Sequence, residues 1–268
     1  MKYCYAFRRF SDYPYLGNAF DMDPERITSK FLGRVKDMGF DGIELGIECL
    51  EKINGGEKGI KEFAKKLEDH GTPLLALRSG GLMIDPKYGE DNYKRIISSF
   101  KFAEFFNTKL INGAISIPEK SPYLDTGTEL ISSEWVAHAG LPFSQNSSRE
   151  TTLPEYELLA KKYSEVCDVA KEFDISISCE VHQNSPVDNS WSAKLIHKLV
   201  NKDNFGINPD LGNILWNYDI PEELCEDAII ELAPISNYWH CKNLIRVNHP
   251  ENQRSVFIRE TIVGGEID

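Results

Sequence analysis

Glu180, Asp210 and His240 follow one another at equal steps of thirty residues, each within a short strand-like run, in "DISISCEVH", "NFGINPD" and "YWHCKNLI". Two carboxylates and an imidazole are oxygen and nitrogen donors of the kind that hold a divalent cation. Brought to one point in a low-dielectric interior, they would repel or stay unpaired unless a cation sat between them. The set contains no thiolate, so Mn²⁺, Co²⁺, Mg²⁺, Fe²⁺ and Zn²⁺ all suit it. A single strand-end glutamate is more often half of a salt bridge, and a single histidine more often a core or rim residue. The equal spacing of all three favours a metal site.

The period of two along a strand sorts the neighbouring residues by face. In the fifth run Ile175, Ile177, Cys179 and Val181 share one face, and Ser176, Ser178, Glu180 and His182 the other. The sixth repeats the scheme, with Phe205, Ile207 and Pro209 opposite Gly206, Asn208 and Asp210. In the seventh, Trp239 and Cys241 face away from His240 and Lys242. The polar faces are expected to point inward, which puts three ligands at equivalent heights on neighbouring strands. His182, one inward step beyond Glu180, is expected either to hydrogen-bond a substrate hydroxyl or to pack at the rim. Asn208 is a candidate substrate-binding amide. Lys242 and Arg78 are expected to hold an anionic substrate group or to balance the carboxylates.

The elements that must position these residues alternate regularly. Strand-like runs at 2–7, 40–47, 73–81, 108–115, 174–182, 204–210 and 238–245 are separated by helical patterns at 23–39, 59–71, 91–107, 154–173, 190–200 and 221–234. That rhythm predicts stacked βα units and a parallel sheet. With no G-x-G-x-x-G and no P-loop, it favours an α/β (β/α)8-type TIM barrel, in which inward side chains converge at the C-terminal strand ends. No linker interrupts the series, so residues 1–268 read as one domain. Residues 116–152, rich in Ser, Pro, Gly and Thr, are too long for an ordinary connection and are expected to form a lid or insertion. Residues 253–268 read as extended or hairpin-like. "SGG" at 79–81 suits a turn or a phosphate-facing backbone, and "FRRF" at 7–10 is a weak anion-site pattern.

Composition narrows the partners. At 268 residues and 41% apolar content the chain can build one sizeable core. A net charge of −12 repels phosphate backbones, so no nucleic-acid partner is expected. No apolar run approaches the ~20 residues that span a bilayer, so no membrane partner is expected and a cytoplasmic location is. The six cysteines form no C-x-x-C pair and read as reduced, buried thiols.

The segments "GFDGIELG", "CEVH", "NFGINPDLGN", "WHCKN" and "GGEID", in this order, resemble the sugar phosphate isomerase/epimerase family of xylose-isomerase-like barrels. The resemblance implies that Glu180, Asp210 and His240 bind one divalent metal ion, that Glu180 also serves as general base, and that Glu44 contacts substrate. It also implies an eighth strand whose terminal glutamate supplies a fourth ligand. The chain stops at Asp268 with about seven strands, so the barrel is expected to be incomplete at its C-terminus. The expected function is a sugar or sugar-phosphate isomerase or epimerase, acting by proton transfer through a metal-stabilised enediolate, with Glu180 and His182 catalytic. The alternatives are a metal-dependent dehydratase or lyase on the same site, or a non-catalytic binding protein. The expected partner is a small sugar or keto-acid-like molecule, with a homo-oligomer possible.

Overall fold

A computed structural model of the chain describes residues 1–6, 23–86, 88–114, 147–183, 185–215, 222–252 and 254–268. The order of elements is β1 (Cys4–Ala6), α1 (Ser29–Asp37), β2 (Gly42–Gly46), α2 (Ile47–Glu51), α3 (Gly56–Asp69), β3 (Leu74–Arg78), α4 (Gly89–Phe105), β4 (Leu110–Ala114) and α5 (Leu153–Glu172). Then follow β5 (Ser176–Glu180), α6 (Ser190–Val200), β6 (Phe205–Asn208), α7 (Leu211–Leu215), α8 (Cys225–Leu232), β7 (Asn243–His249) and β8 (Arg254–Glu260). Strands β1 to β6 form a six-stranded sheet in sequence order, and β7 and β8 form a separate pair. This is the α/β, TIM-barrel-like arrangement that the alternating runs predict.

The chain divides into two compact units, the first comprising Met1–Ser79, Lys94–Asn112 and Val169–Ile177 and the second Gly80–Tyr93, Gly113–Asp168 and Ser178–Asp268. In the first unit β1, β2 and β3 run parallel, with Ala6 beside Glu44 and Gly46 beside Arg78. A register shift between Ile43 and Glu44 interrupts the β2–β3 ladder at the glutamate. The helix expected over 23–39 splits in two. Asp23 and Pro24 start a short 3-10 turn, and α1 begins only at Ser29, where the Thr28 hydroxyl accepts the Phe31 N–H at 3.2 Å. Between β2 and α3 an additional short helix, α2, buries Ile47, Cys49 and Leu50. Gly55 then turns the chain with φ +87° and lets α3 start at Gly56, three residues before the expected position. The Ser79 N–H is taken by the Asn112 carbonyl at 2.9 Å, so in "SGG" that donor serves the backbone and not a phosphate.

In the second unit the boundaries of α6 match the sequence pattern. Asn189 and Ser192 form a reciprocal capping box at its start, and Asn201 closes it in the left-handed region at φ +47°. Phe205 of β6 packs between Tyr163 of α5 and His197 of α6, at ring distances of 5.1 and 6.1 Å, which confirms it on the helix-facing side. Cys179 of β5 is fully buried.

The seventh parallel strand expected at 238–245 is not formed. Residues 236–242 run beside β6, with an isolated bridge between Ile207 and Ser236 and an N–H from Asn237 to the Ile207 carbonyl at 3.3 Å. The strand starts at Asn243 and pairs antiparallel with β8, from Asn243 opposite Glu260 to His249 opposite Arg254. The following run, "RSVFIRE", lies within reach of a short connection, and an antiparallel hairpin needs only that, whereas a parallel partner needs a crossover. The sheet therefore has six parallel strands, and the hairpin reading of the C-terminal segment holds.

Residues 116–146 of the expected lid, and the "FRRF" segment, lie outside the described residues. Residues 147–152 form a turn on the Ser147 carbonyl that leads into α5. Four cysteines (49, 167, 179 and 225) are buried, Cys4 is half-buried and Cys241 is exposed, which corrects the expectation for that one thiol. No helix among the described residues is long and apolar enough to cross a membrane.

Candidate metal centre

The site is assembled from three chain segments of the second unit. Strand β5 ends on Glu180, which is 2% exposed, and β6 ends on Asn208, two residues before Asp210 at 2% exposure. Asp210 opens α7. Its carbonyl accepts the Asn213 and Ile214 N–H groups at 2.9 and 3.3 Å, and its Oδ1 accepts the Asn213 N–H at 3.2 Å. An aspartate is a favoured N-cap because its side chain takes a backbone donor that the first helical turn leaves free. That task occupies Oδ1, and the other oxygen, Oδ2, faces His240 Nδ1 at 3.8 Å and Lys242 Nζ at 3.3 Å.

His240 is set by its neighbours and not by a strand ladder. Its backbone N–H donates to Asn208 Oδ1 at 2.7 Å, and the Tyr238 ring packs edge-on against the imidazole at 5.2 Å. The ring Nδ1 lies 3.3 Å from Glu180 Oε1. One donor atom from each of Glu180, Asp210 and His240 falls within 4.8 Å of the others, close enough for one ion. The equal spacing in the sequence thus becomes proximity in space.

Two residues that sequence reasoning did not place join the cluster together. Asn213 donates from Nδ2 to Glu180 Oε1 at 3.2 Å and to the Val181 carbonyl at 2.8 Å, and its Oδ1 accepts from Lys242 Nζ. Gly212 makes room for that lysine. A Cβ on Gly212 would lie 2.4 Å from Lys242 Cγ and 2.6 Å from Cε. Both stand in the "NPDLGN" segment, so the signal was present as a motif but did not say what its glycine and asparagine touch. Asn208, the expected substrate-binding amide, is fully buried and ties two backbones together, accepting His240 N–H on its side chain and Val181 N–H on its carbonyl at 2.9 Å.

The other candidates fall as follows. His182 lies beyond the end of β5, with its N–H on the Val187 carbonyl at 2.9 Å and its Nδ1 2.7 Å from the Gln183 carbonyl oxygen. Lys242 is engaged by Asp210 and Asn213. Glu44, buried on β2, and Arg78, at the end of β3, belong to the first unit.

The donor set fits a hard or borderline divalent cation. Two buried carboxylates converge on one imidazole, with Lys242 beside Asp210, and a divalent cation would balance their negative charge. Among the described residues no cysteine joins this group of potential ligands; burial pushes the Cys179 thiol, next to Glu180, up to about 12, and does the same to Cys225, which hydrogen-bonds the Leu211 carbonyl.

The family model of xylose isomerase-like TIM barrels matches residues 32–264. The chain belongs to this family. A search of the curated proteins gives no match. Among solved structures, a xylose isomerase-like TIM barrel protein from Mycobacterium smegmatis in complex with magnesium is 20% identical. It covers 98% of this chain and 82% of its own, with a TM-score of 0.74. The probable 3-DHS dehydratase AsbF of Bacillus anthracis, involved in petrobactin synthesis, is 16% identical over 100% of this chain and 86% of its own, at a TM-score of 0.68. The 3-keto-D-glucoside 4-epimerase YcjR of E. coli is 14% identical over 90% and 78%, at 0.59. At these identities the likeness is one of fold.

The Gly212–Lys242 fit yields a direct test. Gly212→Ala is expected to displace the Lys242 stem and so release both Asp210 and Asn213. Partners that orient metal ligands typically contribute roughly 10- to 100-fold to affinity. Titration calorimetry with Mn²⁺ should show a loss of that size, whereas unchanged affinity would show that the lysine plays no part in setting the ligands.

Proposed function

We propose that the protein is a divalent-metal-dependent sugar isomerase or epimerase that acts by proton transfer next to a carbonyl. The observation that carries this is the convergence of two buried carboxylates and an imidazole within 4.8 Å, in a chain of the xylose isomerase-like family. A divalent ion held by Glu180, Asp210 and His240 would supply Lewis-acid polarisation of adjacent carbonyl and hydroxyl oxygens.

The chain's own groups divide the remaining work. Glu180 takes the proton from the carbon beside the carbonyl, leaving an enediolate, and returns it to the former carbonyl carbon while the hydroxyl proton passes to the former carbonyl oxygen, giving the isomer; an epimer forms instead when a donor on the opposite face returns a proton to the carbon that lost it. Asn213 fixes the orientation of that carboxylate through Oε1. His182, held through its ring Nδ1 and its backbone N–H, presents Nε2 to a substrate hydroxyl. Lys242 keeps the Asp210 carboxylate in place and offsets its charge. Glu44 and Arg78 contact the rest of the substrate.

Deuterium exchange tests the proposal. In D₂O with Mn²⁺, the protein should move deuterium onto the carbon beside the carbonyl of at least one ketose from a panel of pentuloses and hexuloses, followed by mass spectrometry. Exchange accompanied by loss of water would instead assign dehydration. Absence of exchange with every ketose, despite bound Mn²⁺, would overturn the proposal.

A further inference from the structure

Among the described residues β8 pairs with β7 and with no other strand. The two edges of this hairpin differ. Along β7 the segment 262–267 closes the outer edge. The Leu244 carbonyl accepts the Glu266 N–H at 2.8 Å, the Leu244 N–H goes to Asn243 Oδ1 at 2.9 Å, and the Arg246 N–H goes to Glu266 Oε1. Asn243 fastens the same segment, donating to the Ile262 and Ile267 carbonyls at 2.8 and 2.7 Å and accepting the Ile267 N–H at 2.9 Å. The backbone groups of Leu244 and Arg246 therefore point away from β8. In an antiparallel ladder opposite residues share that orientation, so Arg259 and Phe257, which stand opposite Leu244 and Arg246, point theirs away from β7.

An open edge of this kind is a template for a further strand. Strand β8 holds its register with β7 over seven residues without a bulge or a proline. On the solvent side of the hairpin Ile258 is 52% and Val247 47% exposed. The order of residues says which partner fits. "RSVFIRE" set antiparallel to itself about Phe257 places Arg254 opposite Glu260, Ser255 opposite Arg259 and Val256 opposite Ile258. In that register the outward backbone groups of Phe257 and Arg259 face the second strand, residues of opposite charge meet at both ends, and β-branched residues meet between them. Cross-strand pairs of these kinds stabilise a sheet. A two-fold axis generates the pairing from one chain, because an isologous contact matches residue i with j and j with i. We infer that β8 is a self-association edge, through which two copies of the chain join their hairpins into one four-stranded antiparallel sheet. A two-stranded hairpin is marginal by itself, and the second copy supplies the additional strands.

Sedimentation equilibrium of the full chain tests the pairing. The wild type should pass from 30.5 kDa to twice that mass as its concentration rises. Arg254→Glu sets glutamate opposite glutamate at both ends, and Glu260→Arg sets arginine opposite arginine, so each variant alone should associate at least roughly tenfold more weakly. Mixed in equal amounts, the two should recover wild-type association, since every end then joins glutamate to arginine. That recovery separates lost pairing from lost folding. If either charge variant does not fold, Ile258→Lys, at an exposed position, should weaken association to the same degree. A wild-type chain that keeps the single-chain mass up to its solubility limit overturns the inference. Variants that associate as tightly as the wild type would put the contact on another surface, and a mixture no tighter than either variant alone would overturn the pairing about Phe257.

Discussion

Glu180→Gln is expected to lower ketose deuterium exchange by roughly 100- to 10,000-fold at saturating Mn²⁺, the range over which a positioned general base contributes. The geometry explains why the effect should fall on turnover. Asn213 Nδ2 already donates to one oxygen of the carboxylate, so the substituted amide must keep its oxygen there to avoid opposing two donors. Its NH₂ is then left where the proton acceptor stood. The side chain keeps its shape and its tie to α7 but can no longer take a proton. Glu44→Gln serves as the comparison, since Glu44 lies on a different strand and is proposed to contact substrate, so its loss should weaken KM more than kcat. Equal falls in kcat for both variants, with KM unchanged, would show that the base has been given to the wrong carboxylate.

The second large effect concerns the metal itself. Adding Mn²⁺ to about a hundred times its Kd should stabilise the chelator-treated chain by about 2.7 kcal/mol. For a chain of this size that corresponds to a rise in Tm of roughly 5–10 °C. Asp210→Asn is the informative variant. Asparagine caps a helix as well as aspartate does, so the Asn213 N–H keeps its partner and α7 its start. What disappears is the negative oxygen facing His240 and Lys242. The Mn²⁺-induced rise in Tm should therefore vanish while the metal-free Tm changes little. A full shift in Asp210→Asn would place the ion elsewhere, and no shift in the wild type would dismiss the cluster as a metal site.

What was legible in the sequence, and what was not, follows from the range of the forces involved. The βα alternation could be read because strand and helix periods are local, and α6 could be read to the residue because Asn189 and Asn201 mark both of its ends. The ligand trio could be read because one βα repeat returns the chain to an equivalent height. The seventh strand misled because "YWHCKNLI" has strand-like alternation, while the partner that decides its pairing, Arg254–Glu260, lies downstream. Asn213 was out of reach for a similar reason. Its worth comes from joining Glu180, Val181 and Lys242, which stand about thirty residues away on either side. Asn208 was recognised as inward and polar, but the pattern could not distinguish a substrate amide from one that holds its own backbone.

The tether on His240 has a consequence for how the site fails. Glu180 ends a strand inside the parallel sheet and Asp210 is built into a helix start, so neither can leave without undoing secondary structure. The imidazole rides on residues 236–242, which join β6 through the Ile207–Ser236 bridge, the Asn237 N–H and the Asn208 side chain and not through a continuous strand ladder. Such a segment can lift away by local opening, at a small fraction of the free energy of global unfolding. Under heat or denaturant the cluster should therefore come apart one arm at a time, and activity should disappear before far-ultraviolet circular dichroism reports any loss of fold.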